Sequence, residues 1–352
     1  MEKLLTIAIP TYNRKSQLIR LLKSIELENR IDKYSIVISD NCSDYSVEES
    51  INECFSGYFR DNIVIIRRPF NGGADYNISS LFTHAKTKLF WIIGDDDEVV
   101  PGAIDLIIDN YIKYSDIPFF KYTMPGSNRI SDNIRMKNVD DLINCNRKGY
   151  LIGGIIFVSN NVYNVELLKS YFSDCLYYGY CSVSQIIPMM HCLVDSKNDV
   201  LLCKDQIVKA NPAEGDHWNY VKVVTSLSTI LDINWGNNHE EIKKIFDVIC
   251  GYFGIGEFLL GIMKVQDKSY RNYLYKKGML TVFDNKKSIL DLIALYCYRI
   301  ETLTHIRFLT GFYSSLYHRQ NIIKKQLKDK AKNSANTAKL VKIAKKYMPK
   351  LK

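Results

Sequence analysis

The chain has 352 residues, enough for one large domain or two ordinary ones. Its composition, 47% hydrophobic and 24% charged, excludes a disordered chain, a collagen and a small disulfide-rich scaffold. The net charge of +9 is concentrated at one end, because residues 320–352 hold eleven lysines and one acid and so carry +10. The rest of the chain is nearly neutral, which gives no support for a nucleic-acid groove.

The cysteines and the first residues indicate a cellular compartment. Nine cysteines are scattered along the chain without a Cys-x-x-Cys pair. Residues 1–5 lead directly into a strand-like pattern and lack the layout of a signal peptide. Both features predict a cytoplasmic protein whose cysteines are small core residues. The most apolar window, 248–265, contains Glu257 and several glycines, so it predicts a buried helix rather than a membrane span.

Short apolar strands alternate with helical stretches through the N-terminal third of the chain. The hydrophobic pattern predicts strands at 4–9, 34–39, 63–66 and 89–93, and helices at 16–27, 47–55, 72–84 and from 101 onward. This alternation predicts an α/β fold with a parallel sheet and helices on both of its faces. The nearly continuous apolar strands agree, because such sheets are buried on both sides.

The pattern is less regular in the remainder of the chain. It predicts a strand at 154–159, helices at 165–172 and 183–194, and amphipathic helical runs at 221–231, 240–262, 270–283 and 288–317. A polar stretch at 211–216 is the candidate linker. We therefore expect an α/β domain at 1–215, a helical domain at 216–320 and a lysine-rich amphipathic tail at 321–352.

Polar residues follow each of the four N-terminal strands. These are Thr11–Arg14, Asp40–Asn41, Arg67–Arg68 and Asp95–Asp97. In a parallel sheet the carboxyl ends of the strands meet at one edge, and ligands bind there. The sequence therefore predicts one functional site at this edge.

The three consecutive aspartates are the strongest single signal for chemistry. Adjacent carboxylates repel one another, and a hard divalent cation such as Mg²⁺ or Mn²⁺ relieves that repulsion, usually together with substrate phosphate oxygens. In an extended segment Asp95 and Asp97 point the same way and Asp96 the opposite way. The competing interpretation is a solvated acidic turn, or an N-cap for the following helix.

Four segments together resemble family 2 glycosyltransferases with the GT-A fold. Ile7–Arg14 resembles the opening strand of that family, Val37–Asp44 its second strand, Asn71–Asn77 its asparagine-glycine segment, and Trp91–Asp97 the strand that carries the metal-binding Asp-x-Asp motif. The four occur in the order and spacing of the family and cover about the first third of the chain. The resemblance implies a GT-A-like nucleotide-binding sheet that is followed by the helical domain.

The resemblance also assigns roles to residues. It implies that Pro10 and Thr11 shape the loop over the nucleobase, that Asp40 accepts hydrogen bonds from the base, and that Asp95 contacts the ribose. It places further residues around the donor: Tyr12, Arg14, Asn71, Gly73 and Asp96. The metal, Mn²⁺ or Mg²⁺, is expected on Asp95 and Asp97, with His217 as a late histidine ligand. An ordinary loop histidine is the alternative for His217.

The expected catalytic base does not follow the pattern of the family. Inverting members usually carry a Glu-Asp pair well after the metal motif, and that base deprotonates the acceptor hydroxyl. The corresponding window, residues 171–185, holds Asp174 as its one acid. Asp174 is therefore the candidate base, and another carboxylate, a capping role or a mechanism without the usual base remain open. Tyr177, Tyr178 and Tyr180 line an acceptor cleft or belong to the core.

The tail suggests attachment to a membrane surface. Leu340, Ile343, Ala344 and Tyr347 fall at helical spacing among lysines, a pattern that suits anionic lipid. A solvated end is the alternative. We therefore expect a cytoplasmic protein that is peripheral on the inner face of the cell membrane, without a nucleic-acid partner, and with homo-oligomerisation open.

The resemblance implies transfer of a hexose or deoxyhexose from a nucleoside diphosphate sugar to a hydroxyl of a glycan acceptor. The acceptor expected for bacterial family 2 enzymes is a lipid-linked intermediate of surface polysaccharide, such as the O-antigen of lipopolysaccharide, and the expected outcome is inversion. A sugar-nucleotide pyrophosphorylase would need a glycine-rich phosphate loop after the first strand, which Pro10–Arg14 does not provide. The remaining alternative is a catalytically inactive GT-A-like module that binds glycan or scaffolds an assembly complex.

Overall fold

The computed structural model describes residues 3–151, 154–195, 198–211, 220–253 and 255–282. Of these, residues 3–253 together with 280–282 form one compact unit, and residues 255–279 belong to a second. Both boundaries of the predicted three-part division, near 215 and 320, lie outside the described residues, so that division stays a prediction. The predicted helix at 288–317 and the basic tail also lie outside them. No helix in the described part of the chain has the length and apolar character to cross a membrane.

The order of strands and helices begins as the sequence predicts. The described residues contain these strands: β1 Leu5–Thr11, β2 Tyr34–Asp40, β3 Ile63–Arg67, β4 Leu89–Ile92, β5 Glu98–Val99, β6 Phe119–Tyr122, β7 Ile134–Met136, β8 Asn161–Asn164, β9 Val200–Cys203 and β10 Val208–Lys209. They contain these α-helices: α1 Lys15–Glu26, α2 Val47–Cys54, α3 Gly57–Asp61, α4 Ala74–Ser80, α5 Ala103–Lys113, α6 Val139–Arg147, α7 Val165–Leu168, α8 Phe172–Tyr177, α9 Ile187–Val194, α10 Tyr220–Ser226, α11 His239–Cys250, α12 Ile255–Met263 and α13 Lys268–Val282.

Eight of these strands form one sheet in the order β3-β2-β1-β4-β8-β6-β9-β7. The first four strands of that order are mutually parallel, which confirms the prediction for the N-terminal third. The other half, for which the sequence predicted only a mixed pattern, combines both directions: β8 runs antiparallel to both β4 and β6, β7 runs antiparallel to β9, and β6 runs parallel to β9. A short apolar strand has the same pattern in either direction, so the sequence did not show this reversal.

Two predicted elements differ from the structure. Residues 154–159 form turns instead of a strand, and the neighbouring strand is β8, which begins and ends with asparagine. The run at 240–262 is not one helix: α11 ends at Cys250, next to Gly251, and α12 begins at Ile255. The apolar periodicity predicted both elements because it ignores local signals. Those signals are the polar asparagines at the ends of β8 and the glycine inside the apolar run at 240–262.

The core of the sheet explains why the site edge is held rigidly. Leu5, Ile7 and Ile9 of β1 are fully buried, and they belong to the same core cluster as Leu18 and Leu22 of α1. Helix α1 follows from that spacing, since apolar residues three and four apart form one face. Each such side chain stabilises the fold by roughly 1.5–3 kcal/mol on burial. The loop between β1 and α1, which contributes to the site, is therefore anchored at both ends.

Candidate functional site

The three aspartates lie in a turn directly after β4. The N–H of Asp97 donates to the carbonyl of Gly94 at 3.1 Å, so the segment is a turn and not the extended stretch that we expected. The predicted alternation nevertheless holds for burial: Asp95 and Asp97 are 4% and 3% exposed, whereas the side chain of Asp96 is 23% exposed. The turn therefore buries two carboxylates and leaves the middle one partly in solvent.

Asp95 is compensated from the loop after β1. Its carboxylate accepts a hydrogen bond from Thr11 Oγ1 at 2.7 Å and pairs with Arg14 Nη1 at 3.0 Å, and the same nitrogen lies 3.1 Å from Asp96. Burial raises the pKa of Asp95 to about 6, and Arg14 and Thr11 offset part of that rise. The structure thus brings together four of the residues that the sequence assigned to the donor site.

Asp97 has hydrogen bonds but no cationic partner among the described residues. Ser159 Oγ donates to Asp97 Oδ2 at 2.5 Å, and the backbone N–H of Asn211 also donates to this carboxylate. No ion pair to Asp97 occurs within the part of the chain that the structure describes, and burial raises its pKa to about 7. A buried carboxylate with neutral partners only is costly when ionised, and a divalent cation would relieve that cost.

The donor atoms around Asp97 are oxygens of the kind that hard cations prefer. The described residues contain no cluster of three or more His, Cys, Asp or Glu side chains arranged to hold a metal. Since Mg²⁺ and similar ions are commonly held by one or two carboxylates plus substrate phosphates and water, the arrangement fits such an ion. His217, the predicted late ligand, lies outside the described residues, and its role stays a prediction.

Several residues that the sequence did not single out hold the aspartate turn in place. Arg20 Nη2 and Asn211 Nδ2 each donate to the carbonyl of Asp96 at 3.0 Å. Asn211 Nδ2 also lies 2.9 Å from Glu98 Oε1, beside the short β5–β10 pairing. Nothing local in the sequence indicated Ser159 or Arg20, and Asn211 was noted only as the start of a linker.

Asp40 ends β2 at the predicted edge and is 1% exposed. Its Oδ1 accepts the N–H of Ser43 at 2.8 Å, and its Oδ2 pairs with Arg67 Nη1 at 2.6 Å. A carboxylate has about four lone-pair sites, so each oxygen retains capacity for another donor. Asp40 and Arg67 border a cavity of about 240 Å³, which is also lined by Ser46, Val47, Glu48, Arg60, Ile63 and Ile65.

The asparagine-glycine segment is tied to the end of β2. Asn41 Nδ2 donates to Asn71 Oδ1 at 2.7 Å, and Asn41 Oδ1 accepts the N–H of Gly72 at 3.0 Å. Gly73, the N-cap of α4, has φ +86° and ψ 164°, a conformation that only glycine adopts without strain. Pro10 lies in β1 opposite Ser39 of β2. These contacts place the segments of Pro10, Thr11, Asp40, Asn71 and Gly73 along one edge of the sheet.

Asp174 lies on α8 and its carboxylate is engaged. Asp174 Oδ2 lies 2.8 Å from His191 Nε2, and the His191 ring stacks on Tyr171 with centroids 4.2 Å apart. Burial lowers the pKa of His191, and Asp174 offsets part of that effect. The structure thus joins Asp174 to His191 of α9 rather than to the aspartate turn, and its catalytic role stays a prediction.

Two of the three clustered tyrosines at 177–180 lie largely in solvent. Tyr177 is 77% exposed and Tyr180 is 52% exposed, so neither belongs to the core. Tyr178 Oη donates to the carbonyl of Asp232 at 3.3 Å, which anchors that ring. Tyr12 is 40% exposed and follows Thr11 at the edge of the sheet that carries the predicted sugar-donor residues.

Comparison with known proteins gives the following matches. Residues 6–172 match the family model described as glycosyl transferase family 2. Abequosyltransferase RfbV of Salmonella typhimurium is 33% identical over 105 residues, which are 30% of this chain. That match spans 31% of the length of this curated relative.

The fold matches solved structures over most of the chain. The crystal structure of S. aureus TarS in complex with UDP-GlcNAc superposes with a TM-score of 0.55 at 15% identity, covering 89% of this chain and 92% of that one. The TarS complex with UDP gives 0.54 at 14% identity, covering 89% and 91%. At this identity the likeness establishes the fold.

Proposed function

Since residues 6–172 match the model of glycosyl transferase family 2 and the fold is like that of GT-A glycosyltransferases, we propose that the protein is a member of this family and transfers a sugar from a nucleoside diphosphate sugar to a hydroxyl of a glycan acceptor. The observation that carries the proposal is the buried Asp97 carboxylate, which has no cationic partner among the described residues and lies at the edge where the family-like segments meet. A site of this kind suits a polyanionic substrate that arrives with a divalent cation.

The candidate cofactor is Mn²⁺ or Mg²⁺. Asp97 would hold the ion, with Asp95 beside it and His217 as the predicted further ligand. When bound, such an ion supplies positive charge that stabilises the departing nucleoside diphosphate. Arg14 already compensates the charges of Asp95 and Asp96, so a bound cation would stabilise the ionised carboxylate of Asp97 most.

The protein's own residues bind and orient the donor. Asp40 presents a fixed carboxylate to the nucleobase, because Ser43 and Arg67 hold both of its oxygens. Thr11 shapes the loop next to the base and holds Asp95, the residue proposed to contact the ribose. Rigid placement of this kind accounts for much of the rate gain in transfer reactions, because it removes the entropy of bringing reactants together.

The acceptor assignment rests on the partial relative and on the predicted tail. An abequosyltransferase relative favours a role in bacterial surface polysaccharide, with a hexose or deoxyhexose as the transferred sugar. The lysine-rich residues 321–352 would bind the anionic inner face of the membrane, where a lipid-linked O-antigen intermediate is located. Inversion at the anomeric carbon, with Asp174 as base, completes the proposal.

A second candidate function is a catalytically inactive module that binds glycan or scaffolds an assembly complex. The observation that favours it is the Asp174–His191 pair, because the carboxylate expected to act as base is engaged by a neighbouring side chain. The two functions differ in turnover and agree in donor binding. The test therefore has to measure both.

The first experiment is a thermal-shift panel of UDP-, GDP-, CDP- and dTDP-sugars, each with and without Mn²⁺. A ligand at about 100 times its Kd stabilises the folded state by about 2.7 kcal/mol, which shifts the melting temperature measurably. We expect a metal-dependent shift with one nucleotide, and release of that nucleoside diphosphate when a lipid-linked glycan is added. A shift without turnover would favour the inactive module, and no shift with any donor would contradict donor binding itself.

The matched variants are Asp97→Ala and Asp109→Ala. Asp109 is an exposed carboxylate on α5, outside the site. We expect Asp97→Ala to lower turnover by about a hundredfold or more, in line with a loss of several kcal/mol of charge stabilisation. Asp109→Ala should keep the wild-type rate. Equal rates in the two variants would contradict the role of Asp97.

A further inference from the structure

Lys121 is the most unusual buried side chain near the site. It lies in β6, is fully buried, and its Nζ donates to three neutral oxygens: Ile155 O at 3.0 Å, Asn160 Oδ1 at 2.8 Å and Asn161 Oδ1 at 2.6 Å. No carboxylate among the described residues pairs with it, and burial lowers its pKa well below the usual value for lysine. Burying an amino group is expensive unless its hydrogen bonds are satisfied, and here all three bonds go to one segment of the chain.

The three acceptors surround Ser159 in the sequence. Ile155 lies before it, and Asn160 and Asn161 follow it directly. Lys121 therefore holds the segment 155–161 at both of its ends from the neighbouring strand β6. Asn160 is also held from β6, since its Nδ2 donates to the carbonyl of Tyr122 at 2.8 Å. The segment has no regular ladder of its own before β8 begins. Besides the backbone bond from the N–H of Tyr122 to the carbonyl of Asn160 at 2.9 Å, side-chain bonds made by Lys121 and Asn160 hold it.

Ser159 has a defined direction in its hydrogen bonds. The N–H of Gly94 donates to Ser159 Oγ at 2.9 Å, which leaves the hydroxyl hydrogen free to point at Asp97 Oδ2, 2.5 Å away. The indole N–H of Trp91 holds the carbonyl of Ser159 at 2.8 Å. The hydroxyl thus orients the carboxylate that we propose as the metal ligand. Outer groups of this kind commonly tune metal affinity.

We propose that Lys121 is a positioning residue for the metal site: by binding Ile155, Asn160 and Asn161, it fixes Ser159 against Asp97 and so sets the affinity for the divalent cation. The inference rests on the proposed function, in that it takes Asp97 as a ligand of the ion. The amino group itself does not reach the ion or the substrate, because it is fully buried and its three bonds go to the segment. Its effect is therefore transmitted through Ser159.

The test measures Mn²⁺ binding directly. Loss of the electron paramagnetic resonance signal of free Mn²⁺ gives the binding midpoint of the 352-residue chain, with Mn²⁺ alone and with each of UDP, GDP, CDP and dTDP. The variants are Lys121→Met, Lys121→Gln, Ser159→Ala and the Lys121→Met/Ser159→Ala double variant. Lys121→Gln keeps part of the hydrogen bonding and serves where the Met variant folds poorly. Tyr34→Phe is the control, because it removes a buried tyrosine hydrogen bond, from β2 to the carbonyl of Ile25, that has no contact with segment 155–161.

We expect Ser159→Ala and Lys121→Met each to raise the Mn²⁺ midpoint by about tenfold, the scale at which outer groups affect metal affinity. The double variant should be no weaker than Ser159→Ala alone, since residues that act through one another are not additive. Lys121→Gln should lie between wild type and Lys121→Met, and Tyr34→Phe should keep the wild-type midpoint.

Three outcomes would overturn the inference. A lower melting temperature in the Lys121 variants with an unchanged Mn²⁺ midpoint would show a purely structural lysine, and would leave the proposed function intact. Additive effects of Lys121 and Ser159 would show that Lys121 does not act through Ser159. A wild-type protein that binds no Mn²⁺ under any condition would overturn the proposed metal site, and this inference with it.

Discussion

Ser159 and Asp97 are 62 positions apart in the chain, and their side chains meet at 2.5 Å. Their contact exists because β8, which follows Ser159, is inserted antiparallel beside β4, which precedes Asp97. The hydroxyl satisfies one oxygen of a buried carboxylate but brings no positive charge. Asp97 is thus held in place while no cation from the described part of the chain compensates its charge, which is a costly arrangement in the absence of a ligand.

Replacing Asp97 by asparagine should stabilise the metal-free protein. Burial raises the pKa of Asp97 to about 7, from about 3.8 in the unfolded chain, so the folded state holds its proton more tightly than the unfolded state does. Folding stability is then reduced as the pH rises between these values. We expect Asp97→Asn to raise the free energy of unfolding at pH 8 by about 2–4 kcal/mol, with a much smaller gain at pH 4.

The measurement is urea unfolding with EDTA at pH 4 and pH 8. Asp109→Asn, an exposed change on α5, is the matched control and should have no effect at either pH. The same Asp97→Asn protein should show no Mn²⁺-dependent stabilisation by donor. An Asp97→Asn variant that is less stable than wild type at pH 8 would show that the carboxylate is compensated in some other way.

Replacing Arg14 by methionine should have the opposite effect on stability. Asp95 is 4% exposed and would lose its ion pair, so its pKa should rise further above about 6. Since Arg14 has a side chain 26% exposed, solvent screens part of the pair, and we expect a loss of about 1–3 kcal/mol at pH 8. The loss should shrink toward pH 5, because Asp95 is then protonated and no longer needs a cation. Urea unfolding at both pH values tests this, and a pH-independent loss would instead indicate lost packing of the Arg14 stem.

The site contains residues that the sequence indicated and residues that it did not. The aspartate turn, Asp40 and the loop after β1 were found from the sequence, because each lies at or just after the end of a strand whose apolar pattern is strong. Lys121, Ser159 and Arg20 were not, because their roles depend on contacts between distant segments. The direction of β8 determines those contacts, and the strand pattern does not encode direction. Residues 154–159 were predicted as a strand from apolar content alone, although asparagine bonds and Lys121 hold them in turns.

Gly73→Ala should impair donor binding beyond its effect on stability. The φ of +86° and ψ of 164° at Gly73 are strained for any residue with a Cβ, at a cost of about 1–3 kcal/mol. Relief of that strain would move Asn71 and the start of α4, which border the donor edge. Gly102→Ala is the control, since Gly102 also has a positive φ, +84°, and lies at the start of α5. Both variants should have a lower melting temperature, but only Gly73→Ala should weaken the donor-dependent thermal shift. Equal donor affinity in the two variants would show that the asparagine-glycine segment is not part of the donor site.

His191 should make the protein sensitive to acid. Burial lowers the pKa of His191 below its usual value of 6.5, although Asp174 offsets part of the effect. The unfolded chain therefore binds a proton at His191 at a higher pH than the folded state does, and stability falls as the pH drops through about 6.5. His191→Gln keeps a donor for Asp174 and removes the titration, so its loss of stability between pH 7 and pH 5 should be smaller than that of wild type. Thermal melts at several pH values measure this difference. If Asp174 is also the catalytic base, the same variant should shift the acidic limb of the pH–rate profile, whereas a purely structural pair would change the melting temperature and leave that limb in place.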